Sequence, residues 1–357
     1  MNSVTKKRFL SLFFILINVG VIAWIALHEF QGSSGLRFRD IIQVWIQNWM
    51  FFVFAILCMV VALVSEGLKY FFLIKKATGQ SRFYLAMKTA IVGKYYDNIT
   101  PLGSGGQAFQ IYTLYKGGIP SGIASSLPIS GFSMMQIAFF ILGLSFFVFN
   151  GDVITDPVFR ILAFIGLGFM IFLPFMVVLF ILLPKVSTAT VFFIAKILKK
   201  LHLVKVEHRF ARRILRSLGD FKVSLGELMT SKLTVMITLA LSILYQIALC
   251  SIPYFVILAA GFQTNYLDTL TLTLFVYSAI AFIPTPGNAG AAEISFTIIF
   301  TAIPSAAMFW SMMLWRFASY YLFILVGFSG MLISQIRGLQ DTFPRIKTLP
   351  PREEEEN

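Results

Sequence analysis

Thr100-Pro101-Leu102-Gly103-Ser104-Gly105-Gly106-Gln107 and Thr285-Pro286-Gly287-Asn288-Ala289-Gly290-Ala291-Ala292-Glu293 interrupt two otherwise apolar segments of the chain, near 83–116 and 269–303. Each opens on Thr-Pro, runs through small residues and ends on an amide or carboxylate that starts a new apolar run. Proline removes a backbone donor, and glycine admits turns that a Cβ resists, so both stretches read as breaks between two helical arms. Arms of about 11–13 residues would be roughly 16–20 Å long at ~1.5 Å per residue, about half of a ~30 Å hydrocarbon core. Irregular backbone at that depth is tolerated only where it is buried in protein or lines a watery cavity.

Composition agrees with a membrane setting. Of 357 residues, 58% are hydrophobic and 13% charged, and the mean hydropathy is +0.82. Soluble domains have about 45–50% apolar and about 25% charged residues, so a soluble enzyme, a fibrous protein and a disordered chain are excluded. An α-helical integral membrane protein remains. Full spans are expected at 9–27, 49–74, 121–149, 158–183, 233–260 and 305–334. Lys6-Lys7-Arg8 before the first span resembles a signal-peptide start, but no convincing small-residue cleavage site follows. It is read as an uncleaved span with a cytoplasmic N-terminus.

Let the first break enter from the cytoplasm and the second from outside. Then 23 of the 29 basic residues fall in cytoplasmic segments and only Arg37 and Arg39 in external loops. That asymmetry fixes the orientation, with both termini cytoplasmic in a cell membrane. The net charge of +13 is then an address on the inner face, next to anionic lipid, and gives no support to nucleic acid as a partner. The cytoplasmic linker at 185–232 carries Arg209, Arg212, Arg213 and Arg216 at helical spacing beside Phe210, Ile214, Leu218 and Phe221. It reads as a connector that touches the inner leaflet. Cys58 and Cys250 sit in apolar runs as filler, and His28, His202 and His208 show no ligand spacing. P-loop, GxSxG, HExxH and CxxC motifs are absent, so no metal, cofactor or catalytic residue is assigned.

Each break lies between two spans, 49–74 and 121–149 for the first, 233–260 and 305–334 for the second, and the two units begin on opposite sides. The fold expected is an all-α polytopic membrane protein with inverted repeats and two re-entrant, Gly/Pro-broken helical hairpins. Residues 1–335 form the transmembrane domain, with repeat one at 49–149, the linker at 185–232 and repeat two at 233–334. Residues 336–357 form a cytoplasmic tail whose Glu353–Glu356 run is solvated.

The helices restarting at Gln107 and near Ala291 would point amide donors and a positive dipole end at the breaks, a setting that attracts phosphate or carboxylate. Ionisable residues in apolar segments default to functional candidates. Lys94 and Asp97 flank the first break, either as an internal pair or as site residues. Glu293 and Arg316 could hold the second hairpin as a pair or open to a zwitterionic headgroup. Glu66 and Lys69 read as an interfacial helix pair, with a coupling role as the alternative. Asp97, Asn98 and Gln107 would line the cytoplasmic side, and Thr285 and Asn288 complete the candidate substrate-binding set.

At three places the chain resembles the lysylphosphatidylglycerol synthase transmembrane, or flippase-like, family: Asn98 to Gln107, Phe282 to Glu293, and Leu314-Trp-Arg-Phe-Ala-Ser-Tyr-Tyr321. The resemblance covers about residues 9–335. It implies translocation of an aminoacylated phospholipid such as lysyl-phosphatidylglycerol, which reduces sensitivity to cationic antimicrobial peptides, or of a polyprenyl-phosphate-linked substrate. It implies site residues at Thr100, Pro101, Gly103, Gly105, Gly106, Pro284, Pro286, Gly287, Gly290, Glu293 and Arg316. Gln107 stands where many members have Glu, and Asn288 replaces a frequent Gly but suits a left-handed turn. The short form is expected to lack the soluble aminoacyl-tRNA-dependent transferase domain, so phosphatidylglycerol lysyltransferase activity is not expected. A lipid flippase is the leading reading; an intramembrane lipid-modifying enzyme and a small-solute or ion transporter are the alternatives. Homo-oligomerisation stays open.

Overall fold

The computed structural model describes residues 38–101, 103, 105–200, 219, 222–223, 225–228, 230–281, 283, 285, 287–300, 303 and 305–336, and every regular element among them is helical. Helix α1 spans Phe38–Gln47, α2 Trp49–Thr78, α3 Phe83–Ile99 and α4 Gly105–Lys116. Next come α5 Ser121–Asn150, α6 Pro157–Leu182, α7 Pro184–Lys200 and α8 Lys232–Ala259. The chain continues through α9 Tyr266–Ala279, α10 Ala291–Ile299 and α11 Ser305–Arg316, then a π-helical turn at Phe317–Tyr321 and α12 Leu322–Ile336. The expected span 9–27, the arginine stripe at 209–216, the three histidines and the acidic tail lie outside the described residues.

Among the described residues, five helical segments are long and apolar enough to cross a membrane: Trp49–Thr78, Ser121–Val153, Pro157–Met176, Lys232–Ala259 and Met308–Gly330. They coincide with the expected spans from 49 onward. Local chemistry sets their ends. Gly79, at φ 71°, closes α2 in a left-handed cap after Lys75 and Lys76, which suit the negative end of the helix dipole. Asp156 caps α6 by accepting from Phe159 N at 2.8 Å, with Pro157 in the first turn.

The arms around the breaks depart from the even lengths expected. They hold 17 and 12 residues in α3 and α4, and 14 and 9 in α9 and α10. Helix α3 runs without interruption from the polar turn at 79–82 to the residue before Thr100-Pro101, so its length follows from where the prolines fall. Arg82 Nη1 donates to Gly117 O at 2.6 Å, so α4 ends beside the start of α3 and the pair forms a closed hairpin. At the opposite end of the bundle Asn150 Nδ2 donates to Asp268 Oδ1 at 2.9 Å and Thr271 Oγ1 at 3.1 Å, tying the end of α5 to the start of α9.

The helices of each unit touch in the same pattern. In the first, α2 packs on α3, α3 on α4, α4 on α5 and α5 on α2; in the second, α8 packs on α9, α9 on α10, α10 on α11 and α11 on α8. Between units α2 packs along α8, α3 against α12, and α5 against α9, with α6 covering α5 and α9. A large core runs through both units, from Met59 and Phe139 to Tyr245, Phe275, Phe296 and Trp315. A smaller core around Tyr70, Leu85, Leu114 and Leu127 of the first unit is joined by Leu228. Val53, Phe54, Leu57, Val60, Val61 and Val64 form an exposed stripe on α2 at helical spacing. In water such a patch is a liability; against acyl chains it is an ordinary surface.

Candidate functional site

The two breaks meet at one cavity of about 480 Å³, within the ~300–1,000 Å³ typical of ligand sites. Asp97, Asn98, Gly103 and Gln107 reach it from the first break, Gly287 and Asn288 from the second, and Arg316 from the end of α11. The spans contribute their middles: Gln136 and Phe139 from α5, Phe169 and Met170 from α6, Tyr245 and Gln246 from α8. Lys94, Glu66 and Tyr70 complete the polar wall of the first unit, and Tyr277, Ser319 and Tyr320 that of the second.

In the first break Thr100 does the stitching. Its Oγ1 donates to Tyr96 O at 2.7 Å and accepts from Gly105 N at 2.8 Å, joining the last turn of α3 to the first donor of α4. Gly103 takes φ 60°, the left-handed region. The Asp97 carboxylate lies against Gly106 so closely that a Cβ there would run into it. Asp97 therefore sits at the amino end of α4, where an anion is favoured. Lys94, one turn earlier, makes no ion pair with Asp97; its Nζ stands 4.9 Å from the ring centre of Tyr245 and 6.0 Å from that of Phe323.

The second break is more contorted. Gly287, Asn288 and Gly290 all have positive φ, at 58°, 53° and 87°, so Asn288 does occupy a left-handed turn. Such a turn exposes its carbonyls, and Arg316 takes them: Nη1 donates to Gly287 O at 3.1 Å and Nη2 to Asn288 O at 3.5 Å. Arg316 Nε pairs with Glu293 Oε1 at 2.6 Å, both residues being buried. The other oxygen, Oε2, accepts from Gly290 N at 2.6 Å, so Glu293 reaches back to the donor that precedes its own helix. Thr285 Oγ1 donates to Ala289 O at 3.0 Å, tying this break as Thr100 ties the other.

Tyr320, in the π-helical turn, joins the two halves. Its hydroxyl donates to Asn98 O at 3.0 Å in the first break, and its ring fills the space beside Gly287 in the second.

One donor at each helix start is thus taken, Gly105 N by Thr100 and Gly290 N by Glu293. Thr100 and Asp97 lie on α4, and Glu293 on α10, because a break buried in protein must satisfy its own backbone. The cations facing the cavity are Lys94 and Arg316. Glu293 stands behind Arg316 rather than on the wall, and Thr100, Pro101, Gly105, Gly106, Thr285 and Gly290 support the wall from outside it. Pro284 and Pro286 lie outside the described residues. Glu66 and Lys69 do pair, at 2.7 Å, with side chains 7% and 1% exposed, so the pair is buried within the protein. Lys69 Nζ also donates to Gly131 O at 3.1 Å, bracing α2 on α5, while Glu66 faces the cavity.

Sequence reasoning missed Tyr70, Gln110, Gln136, Tyr245, Gln246, Tyr277, Ser319 and Tyr320. The signal was there for Gln136 and Gln246, amides alone in apolar spans. Gln110 depends on packing instead: it accepts from Tyr70 OH at 2.9 Å and occupies the notch that Gly93 leaves on α3.

No curated protein matches the chain. The family described as the lysylphosphatidylglycerol synthase TM region matches residues 9–327. With five apolar membrane-length helices among the described residues and a match over nearly its whole length, this chain is a multi-pass membrane protein that belongs to the lysylphosphatidylglycerol synthase transmembrane family.

Proposed function

We propose that the protein translocates a phospholipid across the cell membrane by passing its headgroup through the cavity between the two breaks. The observation that carries this reading is the convergence of both breaks on one chamber halfway along the spans, whose mixed apolar and polar wall carries both signs of charge. A zwitterionic or cationic headgroup such as that of lysyl-phosphatidylglycerol fits that wall: phosphate toward Lys94 and Arg316, amine toward Asp97 and the tyrosine faces. A polyprenyl-phosphate-linked substrate would use the same cations. The acyl chains stay in the membrane beside the exposed apolar helix faces.

The architecture proposed is an inverted repeat whose hairpins α3–α4 and α9–α10 re-enter from opposite sides. Its support is the contact pattern, which maps onto itself when the units are exchanged: α3 meets α12 as α9 meets α5. The cytoplasmic placement of both termini rests on the distribution of Lys and Arg.

The test uses purified protein in phosphatidylcholine vesicles containing lysyl-phosphatidylglycerol, read by a membrane-impermeant amine reagent. Wild type is expected to expose amine from the inner leaflet faster than protein-free vesicles do. Gln136→Trp, which fills the chamber from α5 without replacing a member of either ion pair, is expected to abolish that gain while the protein stays monodisperse. Translocation unchanged by Gln136→Trp and by Arg316→Ala would remove the cavity from the pathway.

A further inference from the structure

Two carboxylates line the cavity, Glu66 and Asp97. Glu66 is matched to Lys69 at 2.7 Å. Among the described residues Asp97 makes no ion pair; its carboxylate rests on Gly106, and its Oδ1 is shielded from solvent with no hydrogen-bond partner. The nearest candidate cation, Lys94, is held on the rings of Tyr245 and Phe323. A buried carboxylate oxygen without a partner is costly, so it favours an occupant from the cavity.

The place of Asp97 makes its occupancy consequential. It is the last ionisable residue of α3, it rests on the first turn of α4, and the next residue, Asn98, holds the seam to Tyr320 through its carbonyl. Whatever binds Asp97 acts one residue from the bond that joins the two breaks.

We propose that Asp97 carries either a proton or the ammonium of an aminoacylated phospholipid, never both, so that the protein exchanges lipid against protons. The proposal rests on the lipid-translocation reading and names its driving force. On the alkaline side the Asp97 carboxyl gives its proton to water and the carboxylate takes the headgroup ammonium. On the acidic side a proton returns to the carboxylate and the ammonium leaves. One proton moves against one ammonium, and the charge beside Asp97 is the same in both loaded states.

The charged and titratable groups around it leave Asp97 as the exchanging one. From α2, Glu66 and Lys69 neutralise each other and Tyr70 is committed to Gln110. Lys94 stands on its own helix and Tyr245 reaches in from α8. From the far wall Tyr320 is bonded to Asn98, and Arg316 to Glu293. Helix α4 brings only the amides Gln107 and Gln110 to the cavity, and α12 only Phe323.

The experiment imposes a pH difference across vesicles of phosphatidylcholine and lysyl-phosphatidylglycerol containing the full chain, with protein-free vesicles subtracted. The lysyl lipid is expected to accumulate in the leaflet facing the acidic compartment, and reversing the pH difference is expected to reverse the accumulation. Asp97→Asn is expected to lose the response, giving one leaflet distribution with and without the gradient. Asp97→Glu is expected to restore it with a displaced pH profile, which separates a titrating role from a merely structural one. Wild-type translocation that ignores the pH difference, a response retained in Asp97→Asn, or replacement of the proton gradient by a sodium gradient would overturn the exchange and leave translocation standing. A wild type that moves no lipid under any gradient overturns both.

Discussion

Gly106 and Tyr320 are the residues on which the site's geometry turns. Gly106 lets a carboxylate lie directly on a helix start, so Gly106→Ala forces a methyl group into Asp97. Overpacking of this kind costs about 1–3 kcal/mol, to be read as a lowered unfolding temperature in detergent. Tyr320→Phe keeps the ring beside Gly287 but deletes the hydroxyl donated to Asn98 O. A loss of about 0.5–1.5 kcal/mol is expected, with faster hydrogen exchange confined to the first break around residues 98–106. If exchange rises equally throughout the bundle, the hydroxyl is not a local seam.

At the scale of elements, the two spans that follow the breaks solve one problem differently. The second unit uses a charged pair, Glu293 with Arg316; the corresponding side of the first has the neutral amides Gln107 and Gln136, both facing the cavity. Removing one member of a buried pair strands the other, so Glu293→Gln is expected to destabilise by about 3–5 kcal/mol in thermal unfolding. The double change Glu293→Gln with Arg316→Gln reproduces the chemistry of the first unit and is expected to recover part of that loss. A double variant worse than the sum of the singles would contradict this. The breaks and the spans were legible in the sequence because prolines, glycines and uncharged runs are local signals. The Glu293–Arg316 pair was legible because ions in apolar segments are few. Arm lengths were not, since nothing local separates a 17-residue arm such as α3 from a 9-residue one such as α10. Nor were the tyrosines of the wall, which look like any aromatic residue of an apolar span until α8 and α9 bring Tyr245 and Tyr277 to the cavity. That Thr100 and Glu293 each take one donor at a helix start was not legible either, because these side chains fold back only in three dimensions.

For the whole molecule, the distribution of basic residues makes a claim that labelling can check. In a background without Cys58 and Cys250, Gln80→Cys and Gln263→Cys place single thiols at exposed turns, the first beside Lys75, Lys76 and Arg82. An impermeant thiol reagent applied to intact cells is expected to label position 263 and to spare position 80. Labelling in the reverse order would invert the orientation of both hairpins.

The π-helical turn at Phe317–Tyr321 carries a mechanical consequence. Such a turn stores one residue more than an α-helical turn, and tightening it with that residue passed onward along the helix turns everything beyond it by about 100°. Such tightening would leave Arg316 on Glu293 yet swing the Tyr320 hydroxyl off Asn98, unlocking the two halves without altering a single charge. The turn is thus a built-in register slack, a place where the helix could tighten by one step and the chamber change its mouth.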